Sequence, residues 1–440
     1  MIRLWTRTRK SSNLTQSRTK TALCFFHIPK TGGQSLKAVL ENQFAAQECL
    51  VNVPDEVSSE YQRPSDVDRR FVSGHFGENV FRLVEGTHWR TTLLRHPVER
   101  FCSQALHWMR HHQLSASAEL SFASAQAAVD ALLAREPLQF QNHYLCLALG
   151  KAPIRKGRCD HWLVRSRDLD AFDHVGIADR PRKMLHVLCH RFNWPPAPFH
   201  WRLNQMTNRE QLWELADLIV PHLSLLDDDM ETYRLAEQRF EGEYRAMLQA
   251  LFPEVSDFEG LTDELVETRL LRRFKSHIRE RNAVGTDDIR WDMSSPAFGT
   301  GWWWRENNGK LAYRWLGPEK ETVAYLPPLR TGRTYGFDLD IVAFASPRVY
   351  GEFSICIGDH VCKHSLREVS QDPQAVKWVA SGVIPRNALP EDGEPLEFRI
   401  RTPETLPVLS QYQLEHSQST TAYDTRDVSL AIAGLRIGPQ

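Results

Sequence analysis

The sequence predicts an α/β domain, with a parallel sheet flanked by helices, followed by an all-β domain. In the first 255 residues, short continuous apolar runs alternate with segments whose apolar residues recur at helical spacing. This alternation is typical of a parallel sheet covered by helices on both faces. From about Thr286 the pattern changes to short alternating runs bounded by Gly, Pro, Asp and Ser, which are strand and turn signals.

Four short apolar runs are the expected parallel strands. They lie at residues 23–28, 71–75, 91–95 and 174–178. Such runs are expected of strands that are buried on both faces. Leu36, Val39 and Leu40 recur at helical spacing after the first run, and Pro97 follows the third. A proline in the first turn of a helix loses no hydrogen bond, so this position marks a helix start.

Longer helical patterns come next, and the alternating runs of the all-β domain follow them. The helical patterns lie at 122–149, 211–226, 230–251 and 264–281, and the alternating runs at 335–341, 351–357, 396–400 and 428–437. The size of the all-β part suits a sandwich or a jelly roll.

Bulk composition excludes some classes of function. The chain has 440 residues, which indicates two or three domains. Its formal net charge of -1 gives no nucleic-acid signature, so we expect no nucleic-acid partner and only a local anion site. No apolar stretch reaches the length of a transmembrane helix. The 8 cysteines form no Cys-x-x-Cys pair, and we expect reduced thiols in a cytoplasmic protein.

We predict four segments along the chain. They are a basic disordered tail at 1–20, the α/β domain at 21–255, a helical linker at 256–285 and a β-sandwich domain at 286–440. The tail lacks the apolar core of a signal peptide. Its basic residues leave peripheral contact with an acidic membrane open, although such runs are more often solvated ends.

The most informative segment is the turn that follows the first strand. It consists of Lys30, Thr31, Gly32, Gly33, Gln34 and Ser35, with an amphipathic helix beginning at once. Glycines let backbone N–H groups approach an anion, and the helix start adds its positive dipole end. In a Walker A loop the lysine follows the glycines. Here Lys30 precedes them, which argues against a nucleotide kinase or ATPase.

Two further segments place candidate functional side chains at the same edge of the sheet. Arg95 ends the third strand, and Ser103 lies about two turns into the next helix, so the pair can grip a second phosphate. Arg100 leaves two readings open, a contact to a nucleotide or a surface ion pair. His75 ends the second strand, and histidine is the usual general base near neutral pH. Ligands of open α/β sheets bind at these carboxyl ends.

These three segments together resemble the bacterial and Golgi-type sulfotransferases that use 3′-phosphoadenosine 5′-phosphosulfate (PAPS). The family's first loop reads His-Ile-Pro-Lys-Thr-Gly-Gly-Thr-Ser and its second reads Leu-Arg-Asp-Pro-Val-Glu-Arg, followed by a serine. A Gly-His pair lies between them in the members that resemble heparan sulfate 2-O-sulfotransferases. With later segments at 172–178 and 228–236, the resemblance covers about residues 20–250. Gln34 and His96 depart from the family pattern, which has Thr or Ser and Asp there.

The resemblance implies a P-loop-like sulfotransferase domain at 21–255 and a role for each matched residue. The 5′-phosphosulfate is then held by Lys30, Thr31, Gly32, Gly33, Gln34 and Ser35, and the 3′-phosphate by Arg95 and Ser103. Lys30 and His75 become the catalytic residues, with His75 as the base for in-line transfer to a hydroxyl of a glycan or glycolipid. A sulfuryl group carries less negative charge than a phosphoryl group, so no metal is required.

The all-β domain resembles jelly-roll domains appended to bacterial glycan-assembly enzymes. We expect Trp302, Trp303 and Trp304 on one strand, with Trp303 pointing away from the other two. Such rings serve as sugar platforms or as core. Three alternatives to glycan sulfation stay open: a protein (tyrosine) sulfotransferase, a non-catalytic glycan-binding protein with a vestigial transferase domain, and a nucleotide kinase.

Overall fold

The computed structural model describes most of the chain, and the predicted tail at 1–20 lies outside the described residues. Described are 21–53, 69–75, 77, 80, 84, 86–114, 125–134, 140–151, 154–156, 159–161, 163–197, 215–282, 284–372, 374–408 and 426–440, with the backbone alone at 108–114, 125, 154–156 and 159–161. They divide into two compact units. The first comprises 21–191 and 215–266, and the second comprises 192–197 and 267–440.

The first unit contains a five-stranded parallel sheet. Its strands are β1 (Thr21–Phe26), β2 (Cys49–Val53), β3 (Phe71–Gly74), β4 (Thr87–Leu94) and β7 (His174–Ile177), in the order β2-β3-β1-β4-β7. Separate from the sheet, β5 (Ile154–Lys156) and β6 (Cys159–His161) form an antiparallel pair. All the sheet's neighbouring strands are parallel, as the sequence predicts.

Helices lie between these strands and after them. They are α1 (Gly33–Glu41), α2 (Pro97–Leu114), α3 (Ala125–Leu133), α4 (Gln141–Ala148), α5 (Ser166–Leu169), α6 (Pro181–Phe192), α7 (Asp227–Leu251) and α8 (Asp263–Arg281), with 3-10 turns at Ala46–Glu48 and Val220–Leu226. The predicted helical stretch at 122–149 thus contains two helices. The division between the units falls inside α8.

The strand order creates a topological switch point beside β1. From β1 the chain goes to β2 on one side of the sheet, whereas from β4 it goes to β7 on the other side. Ligands of open α/β sheets bind in the crevice at such a point, outside the carboxyl ends of the strands. The Lys-Thr-Gly-Gly turn follows β1 and Arg95 follows β4, so both flank this crevice.

The second unit is built from antiparallel strands. They are β8 (Ile289–Asp292), β9 (Gly299–Thr300), β10 (Glu306–Asn307), β11 (Ala312–Trp315), β12 (Glu321–Leu326), β13 (Tyr335–Phe344), β14 (Ser354–Ile357), β15 (His360–Cys362), β16 (His364–Glu368), β17 (Trp378–Ile384), β18 (Leu396–Arg401), β19 (Leu406–Pro407), β20 (Asp427–Val428) and β21 (Leu430–Pro439). One sheet has the order β10-β11-β21-β13-β17-β16, with β8 on β21, and the other has the order β15-β14-β18-β12-β9. Helix α9 (Pro347–Glu352) and a 3-10 turn at Arg386–Ala388 complete the unit.

These two sheets share one hydrophobic core. Phe337 of β13 and Phe398 of β18 are buried in it, with ring centroids 6.4 Å apart. The strand predicted at 351–357 begins only at residue 354, because the preceding residues form α9. Ser346 caps that helix by accepting a hydrogen bond from the Val349 N–H, and Pro347 occupies its first turn. This start signal outweighs the alternating pattern.

The prediction that the three consecutive tryptophans lie on a strand is wrong. Gly301 adopts a left-handed φ of 77°, and the segment is joined to its neighbours by an isolated bridge between Trp302 and Leu316. The chain turns here instead of extending. Side-chain alternation therefore does not apply to this segment.

Burial then decides what these rings do. Trp302 and Trp303 are both buried. The Trp303 Nε1–H donates to the Asp427 carbonyl at 2.9 Å, and the Arg426 guanidinium covers the Trp304 ring at 4.2 Å. Trp302 and Trp303 are therefore core residues and not a sugar platform.

Two sequence expectations concern cysteines and membrane spans. The seven cysteines with described side chains are all free thiols, including Cys356 and Cys362 on adjacent strands. None of the helices in the described ranges is long and apolar enough to cross a bilayer.

Candidate functional site

The loop at 27–32 connects β1 to α1 in an unusual backbone conformation. Lys30 has a φ of 67° and Gly32 a φ of 83°, both in the left-handed region. Glycine adopts this region freely, whereas lysine pays about 1 kcal/mol, a strain that is typical of functional sites. The Thr31 hydroxyl donates to the Ile28 carbonyl at 2.9 Å and braces the loop from inside.

Gly32, the last residue of the loop, and Gly33, the first residue of α1, are required for different reasons. At Gly32, a Cβ would meet nothing within 4 Å, so the backbone is open to an approaching group on that side. At Gly33, a Cβ would collide with the ring of His27. Gly32 thus satisfies the turn and leaves an open approach, while Gly33 satisfies packing.

His75 is delivered to this loop by the end of β3. A Cβ on Gly74 would collide with the backbone of Val53, so a glycine is needed where β3 passes β2. The His75 N–H donates to the Val53 carbonyl at 3.0 Å. Its Nδ1 lies 2.6 Å from the His27 carbonyl oxygen. Because a carbonyl only accepts, the neutral ring carries its proton on Nδ1 and has its lone pair on Nε2.

The His27 ring packs against the His75 ring, a contact that the sequence did not predict. The two rings stack with centroids 4.7 Å apart and planes 24° apart. Burial lowers the pKa of His27 to about 3, with smaller contributions from His75, Lys37 and Lys30. His27 is therefore neutral near pH 7. A histidine at the end of a buried run gives no sequence signal that separates this role from ordinary core packing.

Arg95 reaches the loop from the end of β4. Its Nη1 donates to the Lys30 carbonyl at 3.4 Å, and its Nε donates to Glu99 at 3.1 Å. The buried side chain of Gln141 on α4 accepts from the Arg95 N–H at 3.0 Å and donates to the Arg95 carbonyl at 3.2 Å. Gln141 thus fixes the backbone from which the guanidinium extends, a contact over 46 positions that the sequence does not reveal.

Arg100 is buried, so the surface ion pair considered from the sequence is wrong. Its Nε donates to the Pro29 carbonyl at 3.0 Å, and its guanidinium lies 5.3 Å from the centre of the Tyr144 ring. Burial lowers the pKa of the guanidinium, which nevertheless stays charged at neutral pH. Arg100 therefore places a positive charge beneath the loop.

Asp229 on α7 anchors the helix that carries Gln141. Its two carboxylate oxygens accept from the N–H groups of Gln141 and Asn142 at 2.6 and 2.9 Å. Burial raises the pKa of this carboxyl to about 6. The N-terminus of α4 is thereby fixed, and Gln141 with it.

The remaining predicted site residues include Gln34, Ser35 and Ser103. Gln34 is exposed and Ser35 is buried in the first turn of α1. Ser103 is buried on α2, three residues after Arg100 and so on the same helix face. Among the described residues no hydrogen bond joins its side chain to Lys30 or Arg95, and its role at the 3′-phosphate stays a prediction.

The arrangement is suited to an anion. Arg95 and Arg100 donate to carbonyls of a loop that itself contains Lys30 and leads into the N-terminus of α1. The positive end of that helix adds to their field. Within the described ranges no three His, Cys, Asp or Glu side chains are grouped as a metal ion requires; that no metal is needed stays a prediction from charge.

Comparison with known proteins gives a limited likeness to solved structures. No protein-family model and no curated protein matches the chain. Among solved structures, the C-terminal CBM6 of LamC, a marine laminarinase from Zobellia galactanivorans, is similar at 9% sequence identity. The match covers 34% of this chain and 98% of that chain, with a TM-score of 0.21. At that score the likeness carries no argument about this chain's activity.

Proposed function

We propose that the first unit is a PAPS-dependent sulfotransferase that transfers a sulfuryl group to a hydroxyl of a glycan or glycolipid. One observation supports this most strongly. His75 after β3 and Arg95 after β4 each contact the loop after β1, which lies at the switch point of the sheet. A P-loop-like character of this unit, a jelly-roll-like topology of the second unit and a cytoplasmic location belong to the same proposal.

The residues at the loop are suited to a nucleotide that carries two separate anionic groups. Gly32 leaves the backbone open on the side where an anion approaches. Residues 30–35 would hold the 5′-phosphosulfate, and Arg95 with Ser103 would hold the 3′-phosphate. The donor, when bound, supplies an activated sulfuryl group on a phosphate leaving group.

In this proposal His75 is the base, and Lys30 stabilises the leaving phosphate. His75 accepts the proton of the acceptor hydroxyl at Nε2 while that oxygen forms its bond to sulfur. Lys30 and the amides of the loop stabilise the negative charge that develops on the phosphate oxygen as its bond to sulfur breaks. His27 holds the proton on Nδ1 of His75 through its carbonyl, so Nε2 faces the reaction unprotonated.

The test uses the full chain with labelled PAPS and a panel of glycolipids, capsule fragments and tyrosine peptides. His75→Asn retains an N–H that can donate to the His27 carbonyl but lacks a base. We expect transfer to fall by about 10²- to 10⁴-fold, with donor binding by calorimetry nearly unchanged. Lys30→Ala should lower both. Lys183→Ala, on α6, is the matched control and should change neither.

The outcomes separate the alternatives. Label on a tyrosine peptide and on no sugar would favour a protein sulfotransferase. PAPS binding without transfer to any acceptor would favour a vestigial domain, and ATP turnover that a chelator abolishes would favour a kinase. Unchanged turnover in the His75 and Lys30 variants would refute the proposed site.

A further inference from the structure

Three rings form a column that leads from the core of the first unit to its candidate site. Phe25 on β1 is fully buried, and its ring lies 5.8 Å from that of His27, with planes 17° apart. His27 in turn lies 4.7 Å from His75. Phe25 and His27 are two residues apart, so their side chains share one face of the chain. The half-buried ring of His75 therefore rests on a support that continues into the core.

The middle ring of this column has little freedom. Gly33 packs directly against it, and an added methyl group there would collide with it. The His27 N–H donates to the Gly74 carbonyl at 2.9 Å, which ties its backbone to the strand that carries His75. A rotation of the His27 ring would therefore disturb both the loop and the neighbouring strand end.

The charge of the middle ring matters as well as its plane. A positive ring stacked on His75 would make protonation of His75 unfavourable and weaken it as a base. Lys30 and Lys37 already contribute positive charge around His27. Buried and uncharged, the His27 ring adds no further positive charge against the base.

We propose that His27 is a positioning residue, whose buried, uncharged ring fixes the plane of His75 while its carbonyl fixes the Nδ1–H tautomer. This inference rests on the proposed function for its catalytic meaning. The ring geometry itself is independent of that function.

The decisive comparison is between His27→Phe and His27→Leu. Phenylalanine keeps a flat, uncharged ring, whereas leucine fills a similar volume without a flat face. We expect His27→Leu to lower kcat by about tenfold or more with little change in KM for PAPS, since misplacement of a catalytic group costs rate. His27→Phe should restore most of the rate and the wild-type pH profile. His222→Phe is the histidine control outside the site.

A second measurement needs no acceptor. Nitrogen NMR of the histidine rings reports which nitrogen of His75 carries the proton. Wild type and His27→Phe should show one Nδ1–H form. His27→Leu keeps the carbonyl but lets the unsupported His75 ring tilt away from it, so it should show a mixture of tautomers. Identical spectra and rates in all three proteins would overturn the inference, as would equal loss in both variants. If His75→Asn keeps full transfer, the proposed function fails, while the spectra still decide whether His27 orients His75.

Discussion

The lowered pKa of His27 predicts a specific acid sensitivity of the first unit. In an unfolded chain this histidine has a pKa of 6.5, and in the folded unit burial lowers the pKa to about 3. The folded state therefore binds fewer protons than the unfolded state between these values. The stability that neutral His27 contributes to folding is fully present above pH 6.5 and is lost as pH falls towards 3.

The magnitude follows from the two pKa values. At pH 5 the unfolded histidine is mostly protonated, and His27 alone lowers the stability of the folded unit by about 2 kcal/mol relative to pH 8, or 1.36 kcal/mol for each of 1.5 pH units. Replacing His27 with phenylalanine removes the titrating group and keeps a flat ring. The variant should therefore lose about 2 kcal/mol less than wild type over the same interval.

The assay is urea unfolding at pH 8 and pH 5 at constant ionic strength. Pulsed hydrogen exchange of peptides that cover β1 reports on the first unit alone. His222→Phe should show the wild-type difference between the two pH values. If wild type and His27→Phe lose equal stability on acidification, His27 is not buried in its neutral form and the reasoning fails.

Two further predictions concern the loop and its support. Gly33→Ala should destabilise the first unit by more than about 2 kcal/mol and shift the His75 ring signals in NMR, because its methyl group meets the His27 ring. Gly32→Ala should destabilise the unit by only about 1 kcal/mol, because of its positive φ, and should leave those signals unchanged. Gln141→Leu should raise the KM for PAPS and lower the free energy of unfolding by about 2 kcal/mol, because it deprives the backbone of Arg95 of two hydrogen bonds. Urea unfolding, NMR and transfer kinetics check these, and an unchanged KM in Gln141→Leu would contradict the assigned role of α4.

The sequence predicted the central strands and the residues that follow them because both depend on local rules. A buried parallel strand reads as a continuous apolar run, and topology brings strand ends to one edge. Lys30, His75 and Arg95 each follow such a run directly. The edge strand β2 was missed for the opposite reason: its residues from Cys49 to Val51 are only half-buried and Asn52 is exposed.

Contacts made over long separations could not be predicted. Arg100 looks like a surface residue from its charged helix turn, and only the packing of Tyr144 and Pro29 around it shows that it is buried. The prediction for the three consecutive tryptophans was wrong for a different reason. Alternation assumes an extended chain, and Gly301 breaks that assumption at the first step.

The glycines of the Lys-Thr-Gly-Gly turn and of β3 have different structural roles. Gly33 is required by the His27 ring beneath it, so its presence says nothing about a ligand. Gly74 is likewise required by the backbone of Val53. Only Gly32 combines a left-handed φ with open space on the side of its missing Cβ. Gly32 and the cations around it therefore indicate an anion site, whereas Gly33 and Gly74 allow two strand ends to approach closely enough for His75 to reach the same loop.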